Sequence, residues 1–329
     1  MPTNDTMKVA VLAEPGHFRL EEKPKPEPGP NQVLLELEGC GVCASNIPPF
    51  EGREWFDYPF EPGQPGHEGW GVVEAVGESV TDFEPGDRVA ALTYNAYATY
   101  DLADASACVK LPEELDGVPF PGEPLGCAMN IFRRSDIEEG QTVAIIGVGF
   151  LGSLMCALAS DAGARVIAIS RREISRDFGE RFGAWKTIPM EDHQGIIDEV
   201  EKLTEGDLCD RVIECVGKQW PLDLAAELTR VRGRLVIAGY HQDGARQVDM
   251  QMWNWRGLDV VNAHERDQKM YVQGMRDAVD AVQNGRLDPT PLFTHEFALD
   301  EMNEALQAAK ERPDGFMKAL INTREVRNA

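Results

Sequence analysis

The feature that most constrains this chain is an uncharged run of 17 residues, Val143 to Ala159, with three glycines inside it. The run is shorter than the roughly 20 apolar residues that a membrane-spanning helix needs. Its glycines, in Gly147-Val-Gly-Phe-Leu-Gly152, lie between a strand-like and a helix-like apolar segment. There the first glycine permits a tight turn, the second lets the backbone approach a pyrophosphate, and the third lets helix pack on strand. The sequence therefore predicts a dinucleotide site at Gly147, Gly149, Phe150, Leu151 and Gly152.

The end of the next predicted strand indicates which dinucleotide binds. It reads Ala-Ile-Ser170-Arg171-Arg172 and lacks the acidic residue that normally holds the ribose hydroxyls of NAD. Two guanidiniums favour a 2′-phosphate, because arginine makes bidentate, charge-assisted hydrogen bonds with phosphate. We therefore expect NADP(H); the alternative is that both arginines are solvated loop residues. Cys215 and Gly239, which follow later predicted strands, complete the predicted cofactor site.

The pattern of apolar runs divides the chain into two regions. Residues 8 to about 121 are rich in glycine and proline and contain short alternating runs, which is typical of a compact β-rich domain. After about residue 126, apolar strands alternate with helical segments, which indicates an α/β fold with a doubly wound parallel sheet. We expect a catalytic domain at 1–126 and 263–329 and a dinucleotide-binding domain at 127–262. Asp300 is predicted to be the N-cap of a late helix, Asp300 to Ala309.

Charge and cysteine content exclude several classes of partner. The 329 residues carry 32 basic and 56 acidic side chains, a formal net charge of −24. Phosphate backbones and anionic membranes would repel such a surface, so we expect neither nucleic acid nor a membrane as partner. Seven cysteines without regular spacing, and an N-terminus unlike a signal peptide, predict a reduced cytoplasmic protein.

Two short motifs in the β-rich region predict a metal site. Cys40-Gly-Val-Cys43 is a C-x-x-C pair, which by itself fits a structural zinc half-site or a redox pair. No second C-x-x-C completes a four-cysteine site, and Cys40 lies in an alternating pattern that points it inward. The Cys43 thiolate, the His67 imidazole and a carboxylate would instead form an open zinc site with three protein ligands, the arrangement used for catalysis.

The order of these motifs resembles the zinc-dependent medium-chain dehydrogenase/reductase family. The likeness runs from about Lys8 to Ile321 and is carried by four segments in order, Gly39-Cys-Gly-Val-Cys-Ala-Ser45, Gly66-His-Glu68, Gly86-Asp-Arg-Val89 and the glycine turn at 147–152. The resemblance implies a GroES-like catalytic domain and a Rossmann cofactor domain. It also implies a homodimer or homotetramer.

The resemblance further implies metal ligands and a proton-passing group. Counting back 24 residues from the first glycine of the turn places the family's third zinc ligand at Glu123. Glu68 corresponds to the carboxylate that joins or exchanges with the metal in related members, which gives the set Cys43, His67, Glu68 and Glu123. Ser45 stands where the family has a hydroxyl that passes a proton, so the implied catalytic residues are Cys43, Ser45 and His67.

Two departures from the family pattern change these expectations. Only Cys108 lies between residues 88 and 121, where some members carry a four-cysteine lobe, so one catalytic zinc per chain and no structural zinc are expected. Asn46 replaces the usual aspartate, which implies that His67 has no carboxylate partner behind it.

Hydride transfer between NADP(H) and an alcohol or carbonyl is the activity that the resemblance implies. Arg53, Asp57 and Asn254 lie near aromatic residues and, with Glu123, favour a polyol, sugar or cyclitol as substrate. Two alternatives stay open: a zinc-free NADPH-dependent quinone or enoyl reductase of the same superfamily, and a non-enzymatic NADPH-binding protein. Neither would need the cysteine, histidine and glutamate ligands together.

Overall fold

A computed structural model describes residues 6–325, and the chain divides into two compact units. Within the described residues the first unit comprises 6–126, 267–283 and 288–325, and the second comprises 127–266 and 284–287. Among these residues we find no helix with the length and hydropathy that a membrane crossing requires.

Residues 6–325 form strands, α-helices and short 3-10 helices. The strands are β1 (Thr6–Glu14), β2 (His17–Pro24), β3 (Gln32–Gly41), β4 (Gly69–Val76), β5 (Arg88–Ala91), β6 (Tyr100–Asp104), β7 (Cys108–Lys110), β8 (Thr142–Ile146), β9 (Arg165–Ser170), β10 (Lys186–Pro189), β11 (Cys209–Glu214), β12 (Thr229–Ile237), β13 (Asp259–Asn262), β14 (Phe293–Ala298) and β15 (Lys318–Asn322). The helices are α1 (Ile47–Glu51), α2 (Gly122–Ser135), α3 (Phe150–Asp161), α4 (Glu173–Arg181), α5 (His193–Leu203), α6 (Gln219–Leu228), α7 (Met250–Arg256), α8 (Gln268–Gln283) and α9 (Met302–Glu311). The 3-10 helices occupy Ala44–Asn46, Ala105–Ala107, Glu113–Leu115, Thr290–Leu292 and Leu299–Glu301.

The first unit is built on a sheet in which β3 is central. Its strands run in the order β14-β15-β3-β4-β5-β7, β6 also pairs with β3, and β1 and β2 form a separate antiparallel ribbon. Alternate residues of β3, Val33, Leu35 and Leu37, are fully buried and anchor the strand in the core. Strands β4 and β15 are both antiparallel to β3: Cys40 pairs with Gly69 of β4, and the next residue pairs with Leu320 of β15. The segments after β3, before β4 and at the start of β15 therefore meet at one edge of the sheet.

The second unit contains a six-stranded sheet in the order β10-β9-β8-β11-β12-β13, and every adjacent pair is parallel. All five residues of β8 are buried, as expected for a central parallel strand that helices cover on both faces. The uncharged run is thus a strand followed by helix α3, as predicted. Because the strands are parallel, the turns that follow β8, β9, β11 and β12 lie along the same edge of the sheet.

The predicted cap of the last helix is wrong. Helix α9 begins at Met302 with Glu301 as its N-cap, and Asp300 lies inside the preceding 3-10 turn. The Glu301 carboxylate accepts a hydrogen bond from the backbone N–H of Ala298 at 2.8 Å. That bond gives the backbone N–H at the start of the 3-10 turn a hydrogen-bond acceptor and so stabilises the turn. The α-helix therefore begins two residues later than the sequence pattern predicts.

Candidate active site

Three predicted metal ligands meet at the sheet edge in the first unit. Cys43 follows β3, His67 and Glu68 precede β4, and one ligand atom from each lies within 4.8 Å of the other two. The strand pairing brings them together, since Gly41 N–H donates to the backbone carbonyl of Glu68 at 3.2 Å. A Cβ on Gly41 would lie 1.8 Å from Glu68 Oε2, so only glycine fits beside this carboxylate.

Glu68 is fully buried and is paired with Lys318, at the start of β15. Lys318 Nζ donates a hydrogen bond to Oε1 at 2.8 Å and lies 2.5 Å from Oε2. The second contact is an ion pair without hydrogen-bond geometry, so Oε2 accepts no hydrogen bond from the described residues. Burial alone would lower the pKa of Lys318, but the charges of Glu68 and Cys43 raise it above its usual value. No role was predicted for this lysine, although a charged residue in the apolar run of β15 was a signal.

A polar network fixes the orientation of His67. Its Nδ1 faces the Pro65 carbonyl at 2.8 Å, which favours the tautomer that leaves Nε2 available to a metal. The buried Asn46 donates to the same carbonyl at 3.1 Å. Asn46 Oδ1 accepts from the Cys43 N–H at 3.2 Å and from the Tyr97 hydroxyl at 2.7 Å. The histidine thus has a carbonyl behind it instead of a carboxylate, as the substitution at position 46 implied.

The protonation of His67 is set by its acidic neighbours. Burial by itself lowers the pKa, but the charge and hydrogen bond of Cys43, followed by the charges of Glu123 and Glu68, raise the pKa to about 10. A histidine binds a metal through its neutral ring, so a metal entering this cluster must displace a proton. Metal affinity should therefore fall as the pH is lowered.

The remaining predicted residues of this site lie on adjacent segments. Ser45 is half-buried in the 3-10 helix that begins directly after Cys43. Glu123 lies in the first turn of α2, and its charge acts on both His67 and Lys318. One thiol, one imidazole and nearby carboxylates are a donor set that zinc prefers, and the buried Glu68 Oε2 accepts no hydrogen bond from residues 6–325. The residues present fit a zinc ion.

The glycine turn of the second unit has the geometry that a dinucleotide requires. Gly147 has a φ of +89°, and a Cβ on Gly152 would lie 2.1 Å from the Gly147 carbonyl oxygen. A Cβ on Gly149 would meet no atom of residues 6–325 within 4 Å, so the second glycine faces open space at the start of α3. Phe150 and Leu151 are the next residues and open this helix, half-buried. The turn forms a cradle that fits a pyrophosphate at a helix N-terminus.

The predicted 2′-phosphate residues follow β9, beside this turn. Gly147 N–H donates to the Ile169 carbonyl at 2.8 Å, which places the two loops side by side. Ser170 is buried at the end of the strand, Arg171 is exposed, and Arg172 is the half-buried N-cap residue of α4. The structure thus brings these three residues to the edge at which the glycine turn lies.

Two further predicted cofactor residues lie in a network that the sequence did not reveal. Cys215 follows β11, and burial raises its pKa well above the usual range, so the thiol stays protonated. Gly239 N–H donates to the carbonyl of Glu214 at 2.7 Å. The Glu214 side chain is fully buried; it accepts two backbone N–H bonds and lies 3.1 Å from His241 Nε2. Arg246 Nε donates to the other ring nitrogen of this histidine at 2.9 Å, so the loop after β12 is tied to the turn after β11.

Comparisons with known proteins show which family the chain belongs to. Residues 29–128 match the alcohol dehydrogenase GroES-like domain, and residues 151–281 match the zinc-binding dehydrogenase domain. Sorbitol dehydrogenase of Mus musculus is 30% identical over an alignment of 340 positions, which covers 92% of each chain. Sorbitol dehydrogenase of Gallus gallus is 29% identical and covers 91% of this chain and 92% of its own.

A solved structure shows the same fold. A zinc-binding dehydrogenase from Sinorhizobium meliloti 1021, bound to NADP, superposes with a TM-score of 0.84 at 26% identity. The match covers 96% of this chain and 99% of that one. The expected GroES-like and Rossmann folds are therefore confirmed, and so is the family resemblance. This chain belongs to the zinc-dependent medium-chain dehydrogenase family, and it is an oxidoreductase that acts on a small molecule.

Proposed function

We propose that this protein interconverts a polyhydroxylated alcohol and its carbonyl form, with one zinc per chain and with NADP(H) as the preferred cofactor. The observation that carries the proposal is the cluster of Cys43, His67 and Glu68, whose ligand atoms lie within 4.8 Å of one another. A zinc-free reductase or a cofactor-binding protein would not require these three metal-ligating groups together.

Each residue of the cluster has a separate role in this proposal. Cys43 and His67 hold the zinc, and Glu68 or Glu123 supplies the carboxylate. Zinc held there would supply a Lewis acid that acidifies an alcohol or polarises a carbonyl. Ser45, half-buried two residues after the cysteine, passes the proton of the substrate hydroxyl towards solvent. The Pro65 carbonyl keeps the His67 ring oriented, because it accepts the Nδ1 proton at 2.8 Å.

The second unit binds the dinucleotide. Gly147, Gly149 and Gly152 shape the turn for its pyrophosphate, and the residues at the adjacent edge, Phe150, Leu151, Cys215 and Gly239, line the rest of the predicted site. Ser170, Arg171 and Arg172 bind the 2′-phosphate that distinguishes NADP(H) from NAD(H). The NADP bound to the Sinorhizobium meliloti relative supports this choice.

The substrate class rests on the relatives and on polar groups of the chain. The Mus musculus and Gallus gallus relatives are both sorbitol dehydrogenases. Arg53 and Asp57 lie on the segment between the two ligand motifs of the first unit, where they would suit a hydroxylated substrate; Asn254 is exposed in α7 of the second unit. Assembly as a homodimer or homotetramer belongs to the same proposal.

Metal analysis tests the zinc assignment directly. We expect about one zinc per purified chain, loss of zinc and of NADP-dependent sorbitol oxidation in Cys43→Ala and His67→Ala, and no change in His17→Ala, whose histidine is exposed at the start of β2. The melting temperature of the metal-free variants checks that they fold. A parent protein that purifies and turns over without zinc would contradict the proposal.

The identity of the carboxylate ligand needs its own variants. Glu123→Ala should weaken zinc binding by about 10 to 100-fold or more, and Glu123→Asp, which is shorter by one methylene, should recover part of the loss. Because Glu68 is close enough to replace a lost ligand, Glu68→Ala/Glu123→Ala should exceed the sum of the single effects. If Glu123→Ala binds zinc like the parent and the double variant behaves like Glu68→Ala, then Glu123 is not a ligand.

A further inference from the structure

Arg176, in the second turn of α4, reaches back over the loop that follows β9. Its Nη1 donates to the Arg171 carbonyl at 2.7 Å and to the Ser170 carbonyl at 3.1 Å. One guanidinium nitrogen therefore binds the backbone carbonyls of the last residue of β9 and the first residue of the loop. No sequence motif and no feature of the family resemblance gives this residue a role.

The position of Arg176 on the helix directs it towards the glycine turn. Gly179 lies three residues later on the same face of α4. A Cβ on Gly179 would lie 3.0 Å from Ala168 Cβ and 3.5 Å from a methyl carbon of Val148, which belongs to the turn. The face that carries Arg176 is thus the face packed against the end of β9 and the dinucleotide turn.

The guanidinium of Arg176 has N–H groups that form no hydrogen bond within residues 6–325. Only Nη1 is hydrogen-bonded within the described residues, and neither Arg176 nor Arg171 forms an ion pair with an acidic side chain of residues 6–325. Glu173 and Asp177 are on the same helix, but no pair within 4.0 Å forms. In a chain with a net charge of −24, uncompensated guanidiniums at one strand end repel each other unless an anion lies between them.

We propose that Arg176 is a third guanidinium of the 2′-phosphate site and a determinant of cofactor specificity. Nη1 fixes the loop that carries Arg171 and Arg172, and the free N–H groups of Nε and Nη2 donate to the phosphate oxygens of the adenosine ribose. This inference rests on the proposed preference for NADP(H). It goes beyond that proposal because it gives the specificity to a helix residue outside the loop.

Two adenosine nucleotides isolate the contribution of the 2′-phosphate without any turnover. Adenosine 2′,5′-bisphosphate and adenosine 5′-monophosphate differ only by that group, and calorimetry gives the dissociation constant of each for the purified full chain. We expect Arg176→Ala to weaken bisphosphate binding by at least about tenfold, the loss typical of one charge-assisted hydrogen bond, and monophosphate binding by less than about twofold. Arg176→Lys should keep part of the effect, because it keeps the charge but loses the planar fork.

Arg181→Ala is the matched control. Arg181 lies in the last turn of the same helix, where its guanidinium stacks 6.0 Å from the Phe178 ring, and its removal should leave the ratio of the two dissociation constants unchanged. The inference fails if Arg176→Ala and Arg176→Gln fold like the parent and leave the ratio unchanged, or weaken the binding of both nucleotides equally. Arg176 would then only support the loop backbone, and the cofactor preference would stand. If the parent itself binds both nucleotides equally, the proposed NADP(H) preference fails as well.

Discussion

At the scale of single residues, the buried Glu68 carboxylate shows how one side chain can serve two partners. Both of its oxygens lie within 2.8 Å of Lys318 Nζ, and the same side chain lies in the cluster with Cys43 and His67. A fully buried carboxylate is costly unless it is paired, and here a single ammonium from β15 pairs it. The lysine therefore offsets the charge of the buried Glu68 carboxylate in the metal-free protein.

This arrangement predicts the effect of removing the ammonium. Lys318→Met should destabilise the metal-free protein by about 3–5 kcal/mol, because it removes the hydrogen-bonded partner of a buried charge. Glu68→Gln/Lys318→Met removes both charges and should restore much of that loss. Urea unfolding of the metal-free proteins measures both values. A single variant as stable as the parent would show that the ion pair does not stabilise the fold.

The sequence predicted the metal-ligating residues of this site but not the lysine that pairs with Glu68. Cys43, His67 and Glu68 belong to short local motifs whose residue types already suggest a metal, and the structure brings them together. Lys318 is 250 positions away from its partner in the chain, and the contact depends on the pairing of β15 with β3. Local patterns carry no information on that pairing, so the lysine was recognised only in the fold.

At the scale of elements, the segment formed by β8, the glycine turn and α3 uses one glycine for packing and another for ligand binding. Gly152 packs the helix on the strand, since a Cβ there would lie 2.1 Å from a carbonyl oxygen. A Cβ on Gly149 would meet no atom within 4 Å in the part of the chain described, and the φ of −88° is one that any residue can adopt. The two glycines of one motif therefore have different functions.

Two substitutions should separate these functions. Gly149→Ala should fold with almost unchanged stability yet lose most of its NADPH affinity, because the methyl group occupies the space that the pyrophosphate needs. Gly152→Ala should cost about 1–3 kcal/mol of stability from overpacking. Thermal unfolding without cofactor and NADPH fluorescence titration measure the two effects. Equal loss of stability in both variants would contradict this division.

Element boundaries were predictable where a single pattern determined them. Strand β8, Thr142–Ile146, ends directly before the glycine turn, as the sequence predicts, because the buried apolar run stops at the first glycine. The start of α9 was not predictable, since both Asp300 and Glu301 are acidic residues at the helix start, and the bond from Ala298 N–H to the Glu301 carboxylate favours the 3-10 turn. Competing caps of similar chemistry differ by too little free energy for a sequence pattern to rank them.

At the scale of the whole molecule, the excess of 24 acidic side chains opposes folding. That many carboxylates cannot find a basic partner, so they repel one another across the surface, and compaction strengthens the repulsion. Exposed ion pairs such as Lys110–Asp87, 2.8 Å apart with the lysine half exposed, act in the opposite direction. Each such pair contributes only about 0–1 kcal/mol. Both the repulsion and the attraction weaken as salt is added, and the sign of the net change in stability shows which is stronger.

We expect the repulsion to be stronger than the attraction, so that salt stabilises the protein. Between about 0.01 M and 1 M NaCl the Debye length falls from about 30 Å to 3 Å, which screens the long-range repulsion almost completely. The midpoint of thermal unfolding at neutral pH should therefore rise by several degrees, since about 1 kcal/mol corresponds to roughly 2–4 °C for a chain of this size class. Near pH 5.5, closer to the isoelectric point of about 4.6, the net charge is smaller and the same salt range should raise the midpoint less.

Sucrose at equal osmolality, which stabilises proteins by exclusion from their surface and screens no charge, is the control for a general solute effect. A midpoint that falls with added NaCl at neutral pH would mean that the surface ion pairs outweigh the repulsion among the unpaired carboxylates.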